Sequence, residues 1–368
     1  MERPLLQQVH RTYVRFGARK LSYFSGCDYF RLASHPEVIE ALKAAVDRYG
    51  LNVAASRATT GDHALYHQLE QALARFFDAE TALLVPSGYS ANLVVAQGLA
   101  GAFTRVALEE RAHPSLCDAA NLFSCPVYQF RHRDPAGVKR LLSRFSPSEK
   151  WILLTDGLFA HDGSAAPLPA YIDALPRNAW LLVDDAHGAG VLGRNGQGTL
   201  EHHGVSRRRV IQTITLSKAL GTYGGAILVE RAVRARVARR SRAFVGSTPM
   251  PLPLAGAALE SLGILRRDPS LRVRLRANTR WLKDGLKVAD TRFADTPGPI
   301  LAIKPADTSA SSKLTAALLA AKIFPPFINY PGGPTGGYFR FAISSEHTEA
   351  QLSGLLRVLV SSLEKQAP

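Results

Sequence analysis

Residues 211–225 read Ile-Gln-Thr-Ile-Thr-Leu-Ser-Lys-Ala-Leu-Gly-Thr-Tyr-Gly-Gly. An apolar, β-branched run, typical of a buried strand, stops just before Lys218, and glycines follow. A second apolar run, residues 180–183, leads directly into Asp184, with His187 three residues later and small residues around it. Such runs indicate strands covered on both faces. Because α/β sheets build ligand sites at the carboxyl ends of their strands, we expect these polar side chains to share one site.

A lysine after one strand and an Asp-x-x-His after another are the groups that pyridoxal 5'-phosphate (PLP) requires. Lys218 would form a Schiff base with the cofactor aldehyde, and Asp184 would keep the pyridine nitrogen protonated. His187 would contact the phenolic-oxygen side of the ring or order the site. The alternatives are that Asp184 caps the following element, where aspartate is favoured, and that Lys218 is an exposed lysine at a strand end. The spacing of the two segments favours the cofactor.

Two further segments carry candidate cofactor groups. Ser87, Gly88 and Tyr89 lie between a predicted strand and a predicted helix, where backbone N–H groups can converge on an anion such as the PLP phosphate. Alone, this turn is more typical of an ordinary strand-to-helix connection. His113 follows another predicted strand and could stack on the cofactor ring, although a histidine there is more often a cap or a surface residue. Ser217, with Thr215, places hydroxyl groups beside the lysine.

Composition limits the class of protein. Of the 368 residues, 46% are hydrophobic and 20% are charged, a balance typical of soluble globular proteins. No apolar stretch reaches the ~18 residues of a membrane span, and the first eight residues lack the apolar core of a secretory signal. Three widely spaced cysteines indicate neither a disulfide framework nor a zinc site. We therefore expect a cytoplasmic protein that is not associated with a membrane.

The net charge of +15 arises largely from basic segments such as residues 233–242 and 272–280. A basic surface attracts phosphates, acyl thioesters of coenzyme A, acidic carrier proteins or nucleic acid. The alternative is a set of solvated, arginine-rich helical faces. Aromatic residues are not interleaved with the basic runs and no docking motif is present, so we do not expect a nucleic-acid partner.

The order of predicted elements indicates an α/β fold. Short apolar runs at 81–85, 105–108, 151–155, 180–184, 210–216 and 225–229 alternate with helical periodicity, which predicts a largely parallel sheet. The sequence pattern changes near residue 249, and predicted basic helices and an α+β segment follow. We expect an N-terminal segment (1–45), a large cofactor-binding domain (46–248) and a small C-terminal domain (249–368).

Taken together, these segments resemble the α-oxoamine synthases, a family of fold type I PLP-dependent enzymes. The resemblance extends from about residue 22 to 363. It is carried by Asp-Asp-Ala-His-Gly-Ala-Gly at 184–190, Thr-Leu-Ser-Lys at 215–218, the turn at 87–92 and His113, with further matches at 24–32, 56–57, 247–251 and 337–341. It implies a large domain with a mostly parallel seven-stranded sheet and a smaller α+β C-terminal domain.

The resemblance implies a role for each matching residue. Lys218 is the Schiff-base lysine, Asp184 the partner of the pyridinium nitrogen and His113 the residue that stacks on the ring. The phosphate is held by Gly88, Tyr89 and Thr215.

Four further positions concern the substrates and a second subunit. By the same resemblance, Thr248 reaches the phosphate of the neighbouring subunit's cofactor, which implies a homodimer with shared active sites, and Arg340 binds the amino-acid carboxylate. Cys27 stands near the substrate where the family has an asparagine. Ala160 stands where the family has a serine that bonds the cofactor.

The implied activity is an acyl transfer in which a small amino acid condenses with an acyl thioester, on coenzyme A or a carrier protein, to give an α-oxoamine. The length favours a likeness to 8-amino-7-oxononanoate synthase, an enzyme of biotin synthesis. The alternatives are a PLP-dependent aminotransferase, a glycine C-acetyltransferase or an aldol-type lyase, and, from another class, a non-catalytic protein that binds anions or nucleic acid.

Overall fold

The computed structural model describes residues 5–289, 295–329 and 336–364. The chain separates into two compact units. Unit 1 comprises residues 1–35, 160–164 and 269–368, and unit 2 comprises residues 36–159 and 165–268. The division of the chain at residues 45 and 248 stays a prediction about functional domains.

The strands of the described residues are short, as is usual in α/β proteins. In chain order they are β1 (Gln8–His10), β2 (Tyr13–Phe16), β3 (Arg19–Ser22), β4 (Thr81–Val85), β5 (Arg105–Glu109), β6 (Val127–Phe130), β7 (Trp151–Asp156), β8 (Trp180–Asp184), β9 (Val210–Thr215), β10 (Gly225–Val229), β11 (Ile300–Ile303), β12 (Phe327–Ile328) and β13 (Tyr338–Ala342).

Helices alternate with these strands, and one 3₁₀ turn covers Leu32–Ser34. In chain order the helices are α1 (Pro36–Tyr49), α2 (Ala64–Phe76), α3 (Gly88–Leu99), α4 (Pro114–Leu122), α5 (Pro135–Leu142), α6 (Leu168–Ala174), α7 (Thr199–His202), α8 (Arg231–Arg240), α9 (Arg242–Val245), α10 (Leu252–Arg267), α11 (Ser270–Ala289), α12 (Thr308–Ala320) and α13 (Glu349–Glu364).

Unit 2 is built on a seven-stranded sheet in the order β4-β10-β9-β8-β7-β5-β6. From β9 to β6 all neighbouring strands run parallel, while β10 is antiparallel to both β4 and β9. Every residue of β7, β9 and β10 is buried, because apolar clusters cover both faces of the sheet. The prediction of a mostly parallel seven-stranded sheet is confirmed.

The predicted strands of this sheet are all present, with bounds that differ by at most one residue. β6 is an additional edge strand that the sequence did not predict. Its four residues are half-buried or exposed except for Phe130, so it lacks the continuous apolar run that reveals the inner strands.

The described residues of unit 1 form two antiparallel sheets, β1-β2-β3 and β11-β13-β12. The second sheet packs with α11, α12 and α13 around an apolar cluster that includes Phe24, Leu282, Phe339, Phe341 and Leu355. The expected α+β arrangement of the C-terminal part is confirmed. Within the described residues, no helix combines the length and apolar character needed to cross a membrane.

Candidate active site

Lys218 lies three residues beyond the end of β9 and is half-buried. Its Nζ is 2.8 Å from Nε2 of His187, which follows β8 and is 5% exposed. One of these two nitrogens must accept the hydrogen bond. The Lys218 amine and the His187 imidazole therefore cannot both be fully protonated. The structure therefore brings together the two residues that the sequence placed after neighbouring strands.

Asp184 is the last residue of β8, and its carboxylate is buried in a network of donors. Its Oδ2 accepts a hydrogen bond from Nδ2 of Asn92 at 2.6 Å, and its Oδ1 accepts the backbone N–H of Ala186 at 3.1 Å. The hydroxyl of Ser115 lies 3.5 Å from the same Oδ2. Hydrogen bonds to an ionised oxygen are stronger than neutral ones and offset the cost of burying the charge.

His113 caps the N-terminus of α4. Its Nδ1 accepts the backbone N–H of Ser115 at 3.2 Å and lies 2.7 Å from the hydroxyl of the same serine. The acceptor role places any single ring proton on Nε2. Burial lowers the pKa of His113; nearby Asp184 opposes this shift, and Lys218 adds to it. A neutral, flat ring is therefore available beside the carboxylate network.

The turn at the start of α3 is closed by a reciprocal cap. The Ser87 hydroxyl accepts the N–H of Ser90, and the Ser90 hydroxyl accepts the N–H of Ser87. A Cβ added to Gly88 would lie 2.6 Å from Cβ of Thr215, so only glycine permits this approach of the turn to the end of β9. Tyr89 directs its hydroxyl to Asp118.

The hydroxyl groups next to the lysine also lie at this turn. Thr215 Oγ1 is 2.8 Å from Ser217 Oγ and accepts the N–H of Ser217 at 3.2 Å. Ser217 is exposed, while Thr215 is buried. The predicted phosphate-binding residues of α3 and β9 are thus adjacent.

Two further carboxyl groups lie beside the site. Asp156, at the end of β7, accepts the backbone N–H of His113 at 2.8 Å. Burial raises its pKa well above the ordinary value, and repulsion from Asp184 adds to the effect. Burial also raises the pKa of Asp185 to about 7. Asp185 accepts the N–H of Thr199 at 2.8 Å and Nε2 of Gln212 at 2.6 Å, so it organises the chain around residues 197–199.

The two predicted substrate residues lie in unit 1. Arg340, on β13, donates from Nη2 to Sγ of Cys27 at 3.8 Å and from Nη1 to the carbonyl of Ala160 at 3.4 Å. Residues 27 and 160, two of the positions at which we expected this chain to depart from the family pattern, therefore both contact the same guanidinium, Cys27 through its thiol and Ala160 through its carbonyl. Thr248 is an exposed residue of unit 2, beyond the end of α9.

Comparison with known proteins identifies the family. The profile of the aminotransferase class I and II family matches residues 24–359. An 8-amino-7-oxononanoate synthase from Thioalkalivibrio sulfidiphilus is 36% identical over 94% of this chain and 89% of its own length. One from Methylococcus capsulatus is also 36% identical, over 95% and 91%. The chain belongs to the α-oxoamine synthase family.

Solved structures of α-oxoamine synthases have the same fold. Serine palmitoyltransferase from Sphingomonas wittichii superposes with a TM-score of 0.92 at 26% identity, covering 98% of this chain and 92% of its own. The enzyme from S. paucimobilis, solved with bound PLP and myriocin, gives the same TM-score and identity over 99% and 92%. This chain is accordingly a PLP-dependent acyltransferase of fold type I.

The residues of unit 2 fit PLP. A half-buried amine faces an imidazole, a buried carboxylate is held by donors on both oxygens, and the close approach of Gly88 to Thr215 leaves a helix N-terminus next to two hydroxyl groups. These are the groups required by an aldehyde, a pyridine nitrogen and a phosphate, respectively.

Sequence reasoning missed three members of the network: Asn92, Ser115 and Asp156. Asn92 and Asp156 each carry a signal, since each is a polar residue close to an apolar run, residues 93–96 and 151–154 respectively. That signal indicates a buried polar group. It does not identify the partner, which for Asn92 lies 92 residues away in the chain.

Proposed function

We propose that the chain is an 8-amino-7-oxononanoate synthase, the activity named for its curated relatives. The product name defines the substrates. An amine on carbon 8 beside a ketone on carbon 7 corresponds to alanine without its carboxylate, joined to a seven-carbon dicarboxylic acyl group. One C–C bond forms, the bond from the α-carbon to the carboxylate breaks with release of CO₂, and the thioester releases its thiol.

The observation that carries the proposal is the position of Lys218 and Asp184 at the carboxyl ends of neighbouring strands of one sheet, with Asp184 opposite Thr213 in the β8–β9 register. PLP, when bound, acts as an electron sink for the α-carbon of the amino acid. Lys218 anchors the cofactor and moves the proton at the α-carbon. Asp184 provides the negative charge that keeps the ring nitrogen protonated.

His113 and His187 are proposed to position the reacting groups. The Nδ1 of His113 is tied to Ser115, so its ring presents a fixed flat face to the cofactor. Nε2 of His187 lies 2.8 Å from the amine of Lys218 and would hold this amine toward the phenolic side of the ring. Both rings also exclude water, which strengthens the electrostatic contacts of the site.

The phosphate is proposed to lie at the start of α3. The first N–H groups of a helix have no carbonyl partner within the helix and favour an anion. The residues proposed to contact the phosphate, through backbone or hydroxyl groups, are Ser87, Gly88, Tyr89, Thr215 and Ser217.

Arg340 is proposed to bind the carboxylate of the amino acid, and Cys27 to line that position. Among the described residues, the hydrogen bonds of the Arg340 side chain are two long contacts, which leave most of its five N–H donors for an oxyanion. Thr248 is proposed to contact the cofactor phosphate of a second copy of the chain, so that the enzyme acts as a homodimer. We also propose a cytoplasmic location.

The test is an assay of the purified, PLP-loaded enzyme with alanine, glycine or serine and a seven-carbon dicarboxylic acyl thioester on coenzyme A or a carrier protein. We expect CO₂, free thiol and the α-oxoamine in equal amounts, with alanine preferred, and no product from the K218A variant. Transfer of the amino group to a 2-oxo acid, without release of thiol, would instead indicate an aminotransferase.

A further inference from the structure

We propose that Asn92 is a positioning residue that ties Asp184 to helix α3, so that one rigid helix holds both the phosphate end and the ring-nitrogen end of the cofactor site. Asn92 is fully buried in the second turn of α3. The inference depends on the PLP site and does not require a particular acyl substrate.

The hydrogen bonds of Asn92 define its orientation. Its Oδ1 accepts the hydroxyl of Thr213 at 2.7 Å, so the amide nitrogen must face the other way. There Nδ2 donates to Oδ2 of Asp184 at 2.6 Å and to Oγ of Ser115 at 2.9 Å. One acceptor and two donors are satisfied by three different elements, β9, β8 and α4.

The two amide protons of Asn92 are donated to Asp184 and Ser115, and both of these acceptors make further hydrogen bonds. The Ser115 hydroxyl accepts from Asn92 and lies 2.7 Å from Nδ1 of His113, closer than the 3.5 Å that separates it from Oδ2 of Asp184. The shorter hydrogen bonds of the Asp184 carboxylate come from Asn92 to one oxygen at 2.6 Å and from a backbone N–H to the other at 3.1 Å. Asn92 is therefore the side chain with the short contact to this carboxylate among the described residues.

The position of Asn92 on α3 links the two ends of the proposed cofactor site. Gly88 and Asn92 are four residues apart in one helix and share a face. Gly88 is packed against Thr215 with no space for a side chain, which fixes the start of the helix against β9. Helix α3 therefore sets the spacing between the proposed phosphate-binding turn and the carboxylate of Asp184. A shift of this helix would break the packing of Gly88 or the hydrogen bond of Asn92.

The experiment compares Asn92→Ala and Asn92→Asp with a matched control on the same helix, Gln97→Ala. Gln97 also uses its amide to hold a neighbouring segment, accepting from Ser241 and the N–H of Ala243, but it does not touch Asp184. Apo enzyme is titrated with PLP alone. The dissociation constant, the pH dependence of the visible absorbance of bound PLP and the melting temperature of the apo enzyme are measured.

We expect Asn92→Ala to weaken PLP binding by ~10- to 100-fold, by analogy with the loss of metal affinity when the hydrogen-bond partner of a metal ligand is removed. Asn92→Asp should weaken it more, because two carboxylates would then face each other. Both variants should shift the pH midpoint of the absorbance, whereas Gln97→Ala should change only the melting temperature. Binding by Asn92→Ala within twofold of Gln97→Ala, with an unshifted midpoint, would overturn the proposal.

Thr213→Val decides the question if the Asn92 variants do not fold. This change removes the hydroxyl that orients the amide and leaves both Asn92 and Asp184 in place. We expect a smaller rise in the PLP dissociation constant, ~3- to 10-fold, with a midpoint shift of the same sign. A dissociation constant and midpoint equal to those of the unmodified enzyme would overturn the proposal. Because the titration uses no acyl donor, its outcome is independent of the proposed condensation.

Discussion

Nζ of Lys218 and Nε2 of His187 lie 2.8 Å apart, although the two residues follow different strands of the sheet. The contact holds the amine at the carboxyl edge of β8 and β9, where Asp184 also lies. A histidine is suited to this position because its ring nitrogen can accept a hydrogen bond from the amine and can later accept one from a different donor. The arrangement concentrates an amine, an imidazole and a carboxylate in one region of unit 2.

Adjacent aspartates should have separable roles. Asp184→Asn should leave the fold intact and lower kcat by roughly 10²-fold or more, since removing one preorganised charge typically costs ~10²–10³-fold. Asp185→Ala should destabilise the protein by about 2–4 kcal/mol, because it leaves two buried donors, from Thr199 and Gln212, without an acceptor. Steady-state kinetics and urea unfolding of both variants check this. Equal loss of stability in the two would contradict it.

The close approach of the turn at Gly88 predicts a steric effect on PLP binding. Gly88→Ala places a methyl group 2.6 Å from Cβ of Thr215, so the turn must move. We expect at least a ~10-fold rise in the PLP dissociation constant, the scale of the free-energy cost of an extra methyl group in a packed site. Gly354→Ala is the control: that glycine lies within α13 with open space around it, and alanine should stabilise the helix slightly. Unaltered PLP binding by Gly88→Ala would refute the assignment of the phosphate site.

His347 should make stability depend on pH. Burial lowers its pKa to about 3, and Arg31 adds to the shift. Between pH 6.5 and 3 the unfolded chain binds the extra proton, so the free energy of unfolding falls as the pH falls below about 6.5 and is fully restored above it. At roughly 1.4 kcal/mol per pH unit, about 2 kcal/mol is lost by pH 5.

The test is urea unfolding of His347→Gln at pH 7 and pH 5. Glutamine can keep the bond that Nε2 makes to the Tyr23 carbonyl but does not titrate. We expect a less stable protein at pH 7 with a smaller difference between the two pH values. The exposed His10, changed to glutamine, serves as control. A pH dependence equal to that of the unmodified chain would show that other groups cause it.

Arg340 should govern binding of the amino acid rather than of the cofactor. Arg340→Lys keeps the charge and loses the planar pair of donors, so the KM for the amino acid should rise by ~10- to 100-fold with PLP affinity unchanged. Kinetics at varied amino acid, together with PLP titration, distinguish the two. A fall in kcat at unchanged KM would place Arg340 elsewhere in the mechanism.

Most of the sheet could be predicted because its inner strands are continuous apolar runs. β10, which reads Gly-Ala-Ile-Leu-Val and is buried at every residue, is an example. The strands β1, β2 and β3 were missed because they are short and carry exposed charges such as Arg19 and Lys20. Three or four residues are too few for an alternating pattern to distinguish a strand from a loop.

The candidate site could likewise be predicted only in part. Lys218, Asp184 and His187 follow strands and stand out in sequence. Asn92 and Ser115 complete the site through contacts with residues far away in the chain, and such contacts depend on how helices cross the sheet. Local patterns do not encode that geometry.

The attachment of PLP to Lys218 is tested most directly by mass spectrometry. The PLP-loaded enzyme is reduced with borohydride, digested, and its peptides are sequenced. We predict one phosphopyridoxyl group per chain, on Lys218, and none in the K218A variant. A modified lysine elsewhere, or no modification in an enzyme that turns over, would contradict the account.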